Sequence, residues 1–224
     1  FNRTYWGLES NGYRRPSRRD PRPDSDPPGG PDVLPGKYLV KLSYQDATDS
    51  VWVEVKSDPR VDVSLDAMKE RRDARIAFDK EVNKAAKAFD LLKEAKEQLE
   101  LIGKGTGNWP DTIKKEHKEM AGKINGAVDS LMAVFMLPVG QKDGYYDSSN
   151  TLNSKIGSAR RYLASGRDAV GRNAIHIRDQ VLGEINETVK SVNEFIEGDW
   201  SRYRQWVTDQ GWSPLKEIKP VGDE

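Results

Sequence analysis

The sequence predicts an α+β fold that is mainly α, with a partial antiparallel β-segment followed by an antiparallel up-down four-helix bundle. Residues 37–44 and 51–56 alternate apolar and polar side chains, as half-buried strands do. From Leu65 almost to the end of the chain, apolar residues recur instead at helical spacing. We therefore expect the C-terminal part of a β-domain, with a proline-rich loop, over 1–60 and a four-helix bundle with a C-terminal tail over 61–224.

The β-segment is too small to form a domain by itself. "FNRTYWGL" (1–8) predicts a first strand, and "KYLVKLSY" and "VWVEVK" predict two more around a turn at 45–50. The proline- and glycine-rich stretch from Arg14 to Gly36 predicts a surface loop outside any sheet, because proline fixes φ and removes a donor. Three strands need a second sheet or a helix to cover their apolar face. Since the chain starts at Phe1, we expect the missing strands upstream.

The first predicted helix runs from Leu65 to Ile102. Ser64 is a candidate N-cap, and Gly103 and Gly105 end the pattern. A heptad-like seam predicts the buried face, formed by Phe78, Val82, Ala85, Phe89, Leu92 and Leu99. We expect the other helices to cover this seam, so that the protein is a monomer.

Three further helices follow, over 108–138, about 150–165 and about 169–209. The stripe of the second is Ile113, Met120, Ile124, Ala127, Leu131 and Val134, and that of the third is Leu152, Ile156, Ala159 and Leu163. The fourth carries Val170, Ala174, Ile177, Val181, Ile185, Val189, Val192 and Ile196, then Trp200, Tyr203 and Trp206, with a bend expected near Gly198. Short connections predict antiparallel neighbours.

Composition and charge argue against several classes of partner. The 36 basic and 36 acidic residues cancel, so no net field favours nucleic acid or an anionic membrane. The arginines at 14–22 are offset by Asp20, Asp24 and Asp26 and lack interleaved aromatic residues, which favours a solvated loop with an arginine held by a neighbouring domain. No apolar run reaches the roughly 20 residues of a membrane span.

The candidate chemical groups favour no active site in these residues. His117 and His176 have no second histidine at helical spacing, so we expect a core-edge or exposed histidine at both and no metal. "GKGTGN" (103–108) follows a helix instead of a strand, which is the wrong context for a dinucleotide loop. No acidic pair stands out, and no cysteine is present. We therefore expect no cofactor and no catalysis by this stretch.

The C-terminal aromatic residues are the candidate site. Trp200, Tyr203 and Trp206 share one helical face, and Trp212 follows. They fit either a surface for sugar stacking or domain docking, or the wide end of the bundle core. The core interpretation is favoured, because aromatic residues at helical spacing usually face a core.

The β-segment resembles a known family. Tyr5-Trp6-Gly7-Leu8, "LPGKYLVKL" (34–42) and "VKSDPR" (55–60) leading into a helix are similar to the C-terminal region of secreted bacterial BNR-repeat, sortilin-like "glycosyl hydrolase" proteins. In that family a β-propeller precedes an Ig-like domain and a helical segment. The order of these features also resembles Ig-like modules of the flagellar-hook-capping type.

The resemblance implies an exported protein and three possible functions. The first is a non-catalytic module that packs against the propeller and the remaining Ig-like strands of its parent. The second is a carbohydrate- or protein-binding module that uses the C-terminal aromatic residues or the loop at 138–150. The third is part of a glycoside hydrolase whose active site lies outside this fragment.

Overall fold

The described residues are mainly helical and also form two small antiparallel strand pairs, which confirms the predicted α+β, mainly α class. A computed structural model describes residues 3, 5–138, 148–165 and 169–213. Their contacts divide the chain into two compact units. The first unit holds residues 1–15, 21–83 and 155–183, and the second holds 16–20, 84–154 and 184–224. The predicted boundary near residue 60 stays a prediction.

The first strand pair corrects the prediction for the proline-rich stretch. Strand β1 (Glu9–Asn11) pairs with β2 (Gly29–Asp32), which lies inside the predicted loop. Glycine permits this pairing by allowing close backbone approach. A Cβ atom on Gly12 would lie 2.5 Å from the carbonyl oxygen of Gly29, and one on Gly30 would lie 2.7 Å from that of Ser10. The predicted strand over 1–8 falls partly outside the described residues, and β1 begins just after it.

The second pair is a hairpin with a tighter turn than predicted. Strands β3 (Gly36–Tyr44) and β4 (Ala47–Val55) pair without a break from Gly36↔Val55 to Tyr44↔Ala47. The connection is two residues long, and Gln45 takes a φ of 49°, the left-handed conformation that such turns require. Residues 47–50, predicted as turn, therefore belong to β4.

Helix α1 (Leu65–Gly105) has the predicted start and seam. The backbone N–H of Ala67 donates to the Ser64 hydroxyl at 3.2 Å, so Ser64 caps the helix. All six predicted seam residues are buried. The helix extends three residues beyond the predicted end, through exposed Gly103, and a 3₁₀ turn follows at Thr106–Asn108.

Helix α2 (Asp111–Phe135) is antiparallel to α1 in the second unit. The rings of Phe89 and Phe135 meet edge to face with centres 5.2 Å apart, and Lys96 Nζ lies 2.5 Å from a carboxylate oxygen of Asp129. The second pair lies farther along α1 but nearer the start of α2, so the two helices run in opposite directions. Phe135 is buried where the prediction chose Val134, which is 47% exposed. The antiparallel order of all four helices stays a prediction.

The arginine-rich loop is held against the helices of the second unit at residues 16–20. Arg18 donates to the carbonyl of Leu137, just past α2, and Asp20 pairs with Lys93 of α1. Asn153 donates to the carbonyl of buried Pro16 at 3.0 Å. Arg18 is thus held by a residue of its own unit. The predicted contact of an arginine with a neighbouring domain stays a prediction.

Helix α3 (Leu152–Ala164) buries its four predicted residues. Helix α4 (Arg172–Phe195) continues through a π-helical turn (Ile196–Trp200) into α5 (Ser201–Asp209). A π turn adds one residue to the helix and rotates the following face. From the end of the turn onward, Trp200, Tyr203 and Val207 are therefore buried, and the predicted core residue Trp206 is only half-buried. Before it, Thr188 and Phe195 are buried, whereas the predicted core residue Val189 is only half-buried, as is Ile196 at the start of the turn. The loop at 139–147 and the tail from 214 lie outside the described residues.

Candidate functional site

The hairpin presents an apolar face to solvent. Tyr38 stands opposite Val53, and Val40 opposite Val51, so these side chains share one face with Leu42 and Tyr44. Leu42 is 62% exposed, Tyr44 69% and Val51 60%. The half-buried alternation predicted from the sequence is therefore wrong for most of this face, because among the described residues the sheet consists of β3 and β4 alone.

One end of the apolar face is anchored. The Tyr38 hydroxyl donates to the carbonyl of Leu34 at 2.6 Å, and the ring of Trp6 meets the Tyr38 ring edge-on at 5.4 Å. The open part of the face extends from Val40 towards the turn. This arrangement fixes the base of the hairpin in the first unit and leaves its distal apolar residues accessible.

The opposite face of the hairpin is mostly polar. Lys37 stands opposite Glu54, Lys41 opposite Ser50, and Ser43 opposite Thr48, with the two hydroxyls 3.2 Å apart. Leu39 and Trp52 form the apolar pair on this side. The two faces therefore differ in chemistry, and a partner that binds through apolar contacts would choose the first.

A buried aromatic cluster with a histidine lies in the second unit. The Tyr203 hydroxyl and His117 Nε2 form a hydrogen bond of 2.9 Å. Trp206 stacks on the imidazole with ring centres 6.2 Å apart, and Trp109 meets the same imidazole edge-on at 5.4 Å. Burial lowers the pKa of His117 and raises the pKa of Tyr203 to about 12, so both groups are neutral at neutral pH.

The predicted site residues divide into buried and half-buried members. Trp200 and Tyr203 are 5% and 1% exposed, with ring centres 5.7 Å apart. A stacking surface needs exposed rings, so these two residues act in the core. Trp206 and Trp212 are half-buried, and the Trp212 indole lies against Gly105, where a Cβ atom would sit 2.3 Å from Nε1.

The sequence predicts His117 near the apolar edge of its helix and His176 at an edge or in solvent. His117 is buried and His176 exposed, as these interpretations allow. The contacts of His117 with Trp109 and Tyr203 were not predicted. The spacing of buried His117, Ile124, Val128 and Phe135 was the available signal, because it places the histidine on the inner stripe of α2.

In the described part of the chain, no three His, Cys, Asp or Glu side chains are grouped so that they could hold a metal ion. Of the helices described, none combines the length and the apolar character needed to cross a membrane. Comparison of the chain with protein-family models, curated proteins and solved structures found no match.

Proposed function

We propose that this chain is a non-catalytic interaction module, in which the apolar face of the β3–β4 hairpin docks on a β-rich domain of its own polypeptide. The exposure of Leu42, Tyr44 and Val51 supports this proposal most directly. Contiguous exposed apolar side chains mark sites of contact, and a two-stranded hairpin is marginally stable without a covering layer. Docking would bury the face and stabilise the hairpin together.

The resemblance of the β-segment to BNR-repeat proteins supplies the proposed partner. The face would pack on the β-propeller or on the remaining Ig-like strands of an exported parent. Any glycoside hydrolase activity of that parent would then belong to residues outside this chain.

The experiment is site-specific photo-crosslinking in the natural polypeptide. Photoreactive benzoylphenylalanine replaces Leu42 on the apolar face or Lys41 on the polar face, and mass spectrometry identifies the linked peptides. Both positions are exposed neighbours on β3, so they differ mainly in the face they sample. We expect strong crosslinks from position 42 to a β-rich segment and few from position 41. Equal yields, or crosslinks from 42 only to the helices, would reject the proposal.

A carbohydrate- or protein-binding role is the second candidate, and the partial exposure of Trp206 and Trp212 favours it. Half-buried indoles can offer one ring face to a sugar or an apolar side chain. Titration against a glycan panel, followed by intrinsic fluorescence, tests the carbohydrate role. Trp206→Ala should abolish a true signal, while Trp52→Ala on the hairpin should not. A flat response across the panel rejects carbohydrate binding.

A further inference from the structure

The first unit contains a cavity of about 370 Å³ with a basic wall. The wall consists of Arg71, Arg72 and Arg75 of α1, and Lys56, just past β4, also lines the cavity. Asp32 is the carboxylate in the lining. Cavities of this size accommodate small organic molecules, and arginine side chains recognise carboxylates and phosphates through paired N–H donors.

Arg75 is held in place by a hydrogen bond to the buried carboxylate of Asp79. Its Nε donates to one carboxylate oxygen of Asp79 at 2.7 Å, and the other oxygen accepts Nε of Arg160 from α3 at 2.7 Å. Asp79 is 1% exposed, so this arrangement is fixed inside the unit. The bond uses only Nε, so the two terminal amino groups of Arg75 are not engaged in it.

Arg72 lies three residues before Arg75 on α1, lines the same cavity and is paired with Asp73, whose side chain is 62% exposed. Its Nε and Nη2 both donate to one oxygen of Asp73, at 2.9 and 2.8 Å. Lys56 is likewise paired with Glu54, at 3.4 Å. These carboxylates reduce the positive field of the wall. A monoanion therefore matches the cavity better than a dianion such as phosphate, because Asp32, Glu54 and Asp73 already offset most of the positive charge of the wall.

The rest of the lining is largely apolar and includes Val33, Leu34, Pro35, Val55, Met68 and Leu163. We infer that the cavity binds an organic monocarboxylate with a short apolar body, its carboxylate at Arg72 and Arg75 and its body against Met68 and Leu163. A free fatty acid and the C-terminus of a small apolar peptide share this chemistry. The inference does not depend on the docking of the hairpin.

The test is a titration of the whole chain, followed by calorimetry and by NMR shifts of the cavity residues. The probes are octanoate, acetyl-Leu-Val with a free carboxylate, uncharged octanamide and inorganic phosphate. We expect a carboxylate probe to bind with a Kd of about 1 mM or tighter. Octanamide and phosphate should each bind at least about tenfold more weakly, since a charge-assisted pair is lost or a second charge is added.

The key variant is Arg72→Gln, with Arg178→Gln as its matched control. Arg178 makes the same contact with its following residue, Asp179, through Nε and Nη2 at 2.8 Å, but it lies outside the cavity lining. Arg72→Gln should raise the Kd of the carboxylate probe about tenfold, and Arg178→Gln should leave that Kd unchanged. If octanoate has the lower Kd, the natural ligand is a fatty acid, and if acetyl-Leu-Val has the lower Kd, it is a peptide C-terminus.

Four results would each overturn the inference. These are no shift of cavity residues with either carboxylate, equal binding of octanamide, preferential binding of phosphate, or equal weakening by both arginine variants. Circular dichroism of both variants confirms that the comparison is made between folded proteins. Because both arginines pair with exposed neighbours on helix surfaces, their replacement should leave the fold intact.

Discussion

The burial of His117 and Tyr203 in the aromatic cluster makes the folding stability depend on pH. Burial lowers the pKa of His117 below its ordinary value of 6.5, so the unfolded chain takes up a proton before the folded chain does. The stability contributed by neutral His117 is therefore complete above pH 6.5 and is lost as the pH falls below it. Burial raises the pKa of Tyr203 from 10.0 to about 12, so its contribution is complete below pH 10.0 and is lost as the pH rises towards 12.

We expect His117→Gln to flatten the acid side of the stability profile. Glutamine can keep a hydrogen bond to the Tyr203 hydroxyl but cannot take up a proton. The measurement is urea unfolding at a series of pH values from 7 downward. The control is His176→Gln, because His176 is the other histidine of the chain and is exposed. An unchanged acid slope in His117→Gln would show that burial of this imidazole does not govern the profile.

Asp79 is the residue whose replacement should cost the most among the acidic side chains described here. Asp79→Asn removes the negative charge between Arg75 and Arg160 inside the first unit, for an expected loss of about 3–5 kcal/mol. Asp73→Asn, on the same helix, breaks an exposed pair with Arg72 and should cost less than about 1 kcal/mol. Denaturant unfolding compares the two, and similar losses would contradict the role given to Asp79.

At the scale of elements, the π turn decides which residues of the last helix are buried. The face that includes Val192 and Phe195 continues through Trp200, Tyr203 and Val207 only because the turn adds one residue. Gly198 lies in the middle of that turn, and no atom stands within 4 Å of the position of its missing Cβ. The extra residue therefore makes no side-chain contact that its removal would break.

We expect deletion of Gly198 to be tolerated. It would convert the π turn into a regular helix and keep Trp200, Tyr203 and Val207 on the inner face, and it would remove a glycine that costs up to about 1 kcal/mol in a helix. Deletion of exposed Asn193, in regular helix, would turn the following buried residues away from the core. Thermal unfolding should show a stable first variant and a strongly destabilised second one. The opposite order would show that the π turn itself is required.

Helices α1 and α3 could be predicted well because their signals are local. Ser64 predicts where α1 starts, and the apolar spacing from Phe78 to Leu99 predicts its buried face. Strand β2 could not be predicted, because it depends on the approach of Gly30 to Ser10, far away in sequence. The contact of His117 with Tyr203 was missed for the same reason, since the residues are 86 positions apart.

At the scale of the whole molecule, α1 contributes to both compact units, with residues up to Asn83 in the first and from Lys84 in the second. Its seam residues are buried along both parts. This burial is what the predicted monomer requires of the seam. The monomer itself stays a prediction.

We expect multi-angle light scattering to give the mass of one chain, 25.3 kDa, at micromolar concentration. If weak association appears at higher concentration, it should occur through the hairpin and should disappear in Leu42→Lys, since that side chain is 62% exposed. Lys41→Leu serves as the control on the opposite face. A stable dimer that persists in Leu42→Lys would indicate that α1 associates after all.

The β3–β4 hairpin also affects the tendency of the protein to aggregate. In the described part of the chain its sheet has two strands, so the outer edges of β3 and β4 leave backbone N–H and C=O groups without a strand neighbour. The segment Val51–Val55 is β-branched and aromatic with a single charge, a composition that favours cross-β stacking. We expect the charges of Lys41 and Lys56 to oppose this stacking, and we expect fibrils formed after heating to begin from these two strands.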